Sequence, residues 1–275
     1  MLVAGVDSST QSVKVVIRDA DSGELVASSS KPHPDGTEVD PRAWKEALDA
    51  ALNEVSTHKL SAIAIGGQQH GMVALDRDGA IIRNALLWND TRSDSAAEAL
   101  NSEISDIHQR TGSKLVASFT ASKVRWLADH ERENAERVAA IALPHDWLSW
   151  QLTGTSDISS LFTDRSDASG TGYFDATSNQ YCRDIFARAL RSERDVVLPK
   201  VISPDQFGSE TKAGIPIAAG AGDNAAAALG LGASVGDLVI SLGTSGTAFA
   251  VSSHQSHDET GEVACFADAT GNFLP

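Results

Sequence analysis

Cysteine is scarce: Cys182 and Cys265 are the only two in 275 residues. They lie far apart and at no metal-ligand spacing, which argues against a disulfide scaffold or a zinc site and leaves both as small apolar residues. Basic residues are also few, with 22 Lys and Arg against 37 Asp and Glu and a net charge of −15. The acidic residues are spread along the chain rather than gathered in a tail, so a polyanion such as nucleic acid would be repelled. No apolar run approaches the length of a membrane span, and the N-terminus enters a strand pattern without a charged leader or cleavage site. A soluble cytoplasmic protein is therefore expected. No repeat recurs at solenoid spacing, and low complexity is confined to one short alanine run. Apolar residues, by contrast, make up 41% of the chain, enough at this length for the core of one large domain or one and a half.

The chain is organised around Gly220-Ala221-Gly222-Asp223-Asn224 and the alanine run that follows. Residues 215–219 read as a strand, the glycines as a turn and the alanines as a helix. That places Asp223 at a helix N-terminus, where the dipole and free amides favour an ionised carboxylate. Taken alone, Gly-Asp-Asn before a helix is a turn with a cap. An aspartate held among glycines that admit a ligand close to the backbone can also act as general base toward a hydroxyl. Further on, Ser241-Leu242-Gly243-Thr244-Ser245-Gly246-Thr247 forms a turn between two apolar strands and offers amides and hydroxyls to phosphate. Residues 3–17 repeat the device as strand, polar turn and strand, with Asp7 and Thr10 at the bend.

Further motifs accompany these in order. They are Gly67-Gln68-Gln69-His70-Gly71-Met72, Leu87-Trp88-Asn89-Asp90-Thr91-Arg92-Ser93, Phe119-Thr120-Ala121-Ser122-Lys123 leading to Trp126, Leu143-Pro144-His145-Asp146-Trp147-Leu148, and Thr163-Asp164-Arg165-Ser166-Asp167-Ala168-Ser169-Gly170-Thr171. Together with the two hairpins and the Asp223 turn, this set resembles the FGGY family of sugar kinases in the actin-like ATPase superfamily, over nearly the whole chain.

The resemblance implies an α/β, ribonuclease H-like (actin-like ATPase) fold, with a complete N-terminal domain over residues 1–233 and the beginning of a second, similar domain over residues 234–275. Family members run to very roughly twice this length, so the adenine and ribose pocket is expected outside these residues and the 275-residue chain alone is expected to be nearly inactive. The implied reaction is ATP-dependent phosphorylation of D-xylulose at its terminal hydroxyl, with ribulose, gluconate, glycerol or a related polyol as the alternative substrates. A sugar-binding remnant without catalysis is the non-enzymatic alternative. Asp223 is the implied general base and Asn224 a sugar ligand. Gln69 and His70 match the pair set against the ketose, and Trp88 is an apolar wall. That pair argues against glycerol, for which the family uses an arginine and a glutamate. Thr10 and Lys14 match the first ATP phosphate loop, and Gly243, Thr244, Ser245 and Gly246 the second. Asp7 matches the aspartate that orients Mg²⁺, usually through water. The chain departs from the family at Ser9, where glycine is usual. No nucleic-acid or membrane partner is implied, and a homodimer is an open expectation.

The remaining elements follow from pattern. Three β runs between residues 2 and 29 form a meander, and residues 31–36 read as a loop. Asp40-Pro41 caps a helix carrying Trp44, Leu48, Ala51, Leu52 and Val55 on one face. Residues 60–65 form a strand whose polar end projects Gln69 and His70. Residues 72–75 and 80–83 read as a hairpin. Residues 93–100, 122–134 and 145–152 read as helices, with Trp126, Trp147 and Trp150 in the core. Residues 237–242, 247–251 and 263–267 read as a second meander. Asp164 and Asp167 resemble a metal pair, but family context makes theirs a structural loop.

Overall fold

The computed structural model describes residues 1–55, 60–242 and 246–275; the predicted phosphate ligands Gly243, Thr244 and Ser245 lie outside the described residues. The chain opens with β1 (Leu2–Ser8), β2 (Ser12–Asp19) and β3 (Leu25–Pro32), paired antiparallel in that order. Alternation places Val13, Val15 and Ile17 on the buried face and Lys14 outward, as a half-covered strand requires. Helix α1 (Pro41–Glu54) then crosses the sheet. Asp40 caps it by accepting from the Arg42 amide at 3.0 Å, and Pro41 occupies the first turn, where its missing N–H costs nothing. The crossover delivers β4 (Leu60–Gly67) parallel to β1.

Beyond β4 come β5 (Val73–Leu75), α2 (Asp94–Glu103), α3 (Ile107–Thr111), α4 (Thr120–His130), α5 (Arg132–Arg137), β6 (Ala140–Ala142), α6 (Pro144–Thr153), α7 (Arg165–Ser169) and α8 (Arg183–Leu190). The chain returns to the sheet through β7 (Phe207–Glu210), β8 (Pro216–Ala218) and β9 (Ala221–Gly222), and continues into α9 (Asp223–Leu231). Strand order is β7-β8-β4-β1-β2-β3, with β9 also on β4. The last part holds β10 (Leu238–Leu242), β11 (Gly246–Ala250), β12 (Phe266–Ala267) and β13 (Phe273–Leu274).

The main core lies between the sheet and the layer of α1 and α6. There Trp44, Leu48 and Ala51 meet Trp147, Leu148 and Trp150, and the Trp44 and Trp147 rings stand edge to face at 6.4 Å. A second core gathers Leu100, Val124, Leu127 and Phe186 from α2, α4 and α8. A smaller cluster joins Ala225 and Ala228 of α9 to Phe249 and Val251.

Several expectations are corrected. β3 runs through Lys31 and Pro32, which read as loop. Both pair with β2, and proline is tolerated there because β3 is an edge strand whose amide is not needed. Residues 80–83 form no strand: Leu75 meets Ile81 in a single bridge, and β5 pairs instead with β6, whose residues are all buried. The helix expected over residues 122–134 is two. It starts earlier, at Thr120, and breaks at Glu131, whose carboxylate takes Arg83 at 3.1 Å and Asn134 at 2.8 Å. Trp126 is not core. It is half-buried, with the Arg83 and Arg92 guanidinium groups over its ring at 5.5 and 5.2 Å. The second meander is absent as such, because β12 pairs with β13 rather than with β11. Helices α3 and α8 have no counterpart in the sequence reading. The short amphipathic α8 buries Ile185, Phe186, Ala189 and Leu190, a helical pattern visible in its residues.

On β10, Leu238, Ile240 and Leu242 share one face and are 65%, 61% and 85% exposed. Open apolar strands of this kind recruit other strands or surfaces. The 275-residue chain is therefore expected to self-associate, and Ile240→Lys to shift it toward monomer in sedimentation velocity.

Candidate active site

Parallel pairing on both sides of β4 brings Asp7 and the turn before Asp223 to one sheet edge. Gly66 pairs with Asp7 of β1 on one flank and with Ala221 of β9 on the other. Asp7 thus lies next to Ser8, the final residue of one neighbouring strand, while Asp223 starts the helix that leaves the other. Asp223 is solvent-exposed at the first residue of α9, with one oxygen accepting from the Asn224 amide at 2.8 Å. The helix terminus alone would lower its pKa. Surrounding protein outweighs that effect: partial desolvation moves the carboxyl up, the Asn224 amide opposes it, and the Asp7 carboxylate pushes further upward. Asp7 is itself raised by desolvation, against the pull of Lys14, its cross-strand partner. A carboxylate raised in this way is a better proton acceptor near neutral pH.

The strand-end loop after β4 supplies the other wall. Gln69 is buried and donates from Nε2 to the Ser166 carbonyl at 2.9 Å, which leaves Oε1 as the free acceptor of its amide. Gln69 and Asn224 both line a cavity of about 220 Å³ shared with Thr247, Phe249 and Phe266. His70 adopts φ of 69°, a left-handed conformation unusual outside glycine. Its Nδ1 lies 2.6 Å from the Gly170 carbonyl, which can only accept, so Nδ1 carries the proton and Nε2 is an acceptor. The ring packs on Phe119 and Phe266 at 5.0 and 5.3 Å. Burial drives its pKa down to about 4, the Gly170 carbonyl opposing and Lys123 assisting.

At the first predicted phosphate turn, Trp88 is 41% exposed and donates its indole N–H to Thr10 Oγ1 at 2.8 Å. The expected apolar wall is thus also a tether between two loops. Lys14 is exposed on β2, on the same strand face as the approach to Asp7. Gly246 opens β11, whose next residue, Thr247, faces the cavity beside Asn224.

Supporting residues come from the motif of residues 163–171. Asp164 caps α7 by accepting from the Ser166 and Asp167 amides, so the segment expected as a structural loop is in part a short capped helix. Ser166 links the site together: its Oγ accepts the Gly222 amide at 3.0 Å and its carbonyl holds Gln69. Gly222 has no room for a side chain, since a Cβ there would lie 2.6 Å from Gln69 Nε2. Sequence reasoning did not single out Ser166 or His145. The signal for His145 was its place between Pro144 and Asp146 at the start of α6, where Asp146 accepts the Leu143 amide at 2.8 Å.

Residues 2–230 match the model for the N-terminal domain of the FGGY family of carbohydrate kinases. The chain belongs to that family, and its fold is the family's actin-like ATPase fold. It is 46% identical to the xylulose kinase of Streptomyces coelicolor and 44% identical to that of Streptomyces rubiginosus, over 100% of this chain and 59% of each relative. The crystal structure of xylulose kinase from Bifidobacterium adolescentis superposes with a TM-score of 0.96 at 44% identity, covering 100% of this chain and 64% of that one. The chain therefore spans about three-fifths of the length of these relatives. Among the described residues no helix is long and apolar enough to cross a membrane.

The His70 geometry has a consequence for stability. A histidine neutral in the folded state with a pKa of about 4, against about 6.5 when unfolded, contributes fully above pH 6.5 and loses that contribution as pH falls toward 4. The melting temperature should therefore drop over this range, with a smaller drop in His70→Gln.

Proposed function

We propose that this chain is the sugar-binding and catalytic-base portion of a xylulokinase, which transfers phosphate from ATP to the terminal hydroxyl of D-xylulose and yields D-xylulose 5-phosphate. The observation that carries this reading is that Asp223, raised by partial desolvation and by Asp7, directly precedes Asn224, which with Gln69 lines a single cavity. Asp223 removes the proton from the attacking hydroxyl as the oxygen–phosphorus bond forms. Asn224, Gln69 and His70 hold the ketose, with Trp88 beside them. The free ends of Gln69 and His70 are both acceptors, suited to hydroxyl hydrogens. With Asp7 and Asp223 close by, an anionic sugar acid would be repelled, which favours a neutral ketose over gluconate.

Thr10 and Lys14 from the first turn, with Gly246 and the three glycine-turn residues before it from the second, fit the ATP phosphates. Thr10 accepts from Trp88, so its own O–H is available to a phosphate oxygen. Asp7 offers the hard oxygen donor that Mg²⁺ prefers, directly or through water. The ion, when bound, would neutralise phosphate charge. The domain division near residue 233 belongs to the same proposal, as does a cytoplasmic setting.

Calorimetric titration of the chain with D-xylulose, D-ribulose, D-gluconate and glycerol tests the assignment. D-xylulose should bind tightest, and preferential binding of gluconate or glycerol would overturn the assignment. With the chain joined to a nucleotide-binding second domain of the family, Asp223→Ala should lower coupled ADP release by about 10²- to 10⁴-fold, the usual contribution of a general base, and leave ketose binding measurable.

A further inference from the structure

Behind the Asp223 turn lies a buried charge cluster for which the sugar chemistry above has no use. His145, Asp146 and Asp167 are all fully buried. His145 Nδ1 lies 2.9 Å from Asp146 Oδ1 and 3.0 Å from Asp167 Oδ2, and its Nε2 lies 2.9 Å from the Ala219 carbonyl. Each ring nitrogen thus faces an acceptor. Only the doubly protonated ring can donate on both sides.

Asp167 reinforces the point. Among the described residues no donor other than the Nδ1–H it shares with Asp146 reaches either of its oxygens, and the His145 ring is the one cation within ion-pair distance of it. The two carboxylates share the single Nδ1–H in either state of the ring; a neutral ring would leave them without a compensating positive charge and the Ala219 carbonyl without its donor, which is costly in a water-free interior. Asp164, at the start of α7, also feels the His145 charge. Burial alone would lower the His145 pKa, yet the Asp146 and Asp167 carboxylates carry it well above its ordinary value.

The ring also shapes the backbone in front of it. Gly220 has φ of +76°, and a Cβ there would lie 2.2 Å from the Ile65 carbonyl oxygen and 2.4 Å from His145 Nε2. His145 therefore grips the turn at Ala219 and fills the space beside Gly220, while Ser166, one residue from Asp167, grips the same turn at Gly222. Asp223 follows directly, and Gln69 hangs from the Ser166 carbonyl.

We propose that His145 is a positioning residue: held between Asp146 and Asp167 on one side and the Ala219 carbonyl on the other, it sets the turn that presents Asp223 and the α7 segment that orients Gln69. The assignment of those two residues to the sugar site rests on the proposed function; the mechanical coupling does not. The three side chains also place ligand atoms within 4.8 Å of one another, so a bound metal ion is the competing use of the cluster. The two uses differ at Nδ1, which carries hydrogen in the first and a metal in the second.

Nitrogen-15 NMR of the 275-residue chain labelled at histidine separates them. Both His145 ring nitrogens should be protonated at pH 8, with no change on adding EDTA. A neutral single tautomer at pH 7, or an Nδ1 proton that appears only after EDTA, would overturn the proposal. Carbon-13 titration of aspartate carboxyls tests the coupling. His145→Gln should move the Asp223 midpoint by about half a pH unit or more and leave remote Asp40 unmoved, while His145→Lys, which keeps the charge, should restore it. An Asp223 midpoint identical in His145→Gln and the parent chain would refute the coupling. D-xylulose affinity should fall about tenfold in His145→Gln, the worth of one charge-assisted hydrogen bond, and much less in His145→Lys. If the parent chain binds no ketose, the functional reading fails, while the ring and carboxyl titrations still decide the role of His145. If His145→Gln does not fold, the ring measurement on the parent chain decides alone.

Discussion

The parallel pairing of β4 with strands on both flanks is the constraint on which the rest depends. Parallel neighbours need a covering crossover, and α1 and α6 provide it, so the tryptophan-rich layer beneath the sheet and the polar edge above it come from one topological choice. Because the register sets Asp7, Gly66 and Ala221 side by side, two acidic groups separated by most of the chain share one electrostatic environment. Neither carboxylate would be shifted as it is on a single strand in water. The basicity of Asp223 is thus a property of strand register as much as of its own helix terminus.

Much of this was legible in the residues, and the legible part had local causes. Asp40-Pro41 announced α1 because capping is a matter of adjacent atoms. The glycine turn before Asp223 was readable because Gly220 must take a positive φ. What escaped depended on distant partners. Residues 80–83 look like strand, yet β5 finds its partner in β6, more than sixty residues on in sequence. Glu131 breaks a helix that its neighbours would continue, and does so where Arg83 meets it. In the site, Gln69 and Asp223 were visible as residue types at suggestive positions, but the Ser166 hydroxyl and carbonyl that connect them were not. A serine among four polar neighbours carries no mark of such a role.

The support beneath the site is unusually polar for an interior. His145, Asp146, Asp164 and Asp167 are buried where apolar packing of similar volume would cost less desolvation. An apolar replacement would still fill the space but could not grip the Ala219 carbonyl or fix the direction of the turn. Directional bonds to the backbone are what a site held to a few tenths of an ångström requires.

The indole N–H of Trp88 that reaches Thr10 Oγ1 has a bearing on selectivity at the first bend. An oxygen already receiving a proton from one side is inclined to offer its own hydrogen on the other. Thr10 therefore presents a donor at a bend that also carries the Asp7 carboxylate, so hydrogen-bond donor and acceptor stand side by side there, with Lys14 across the strand pair from Asp7.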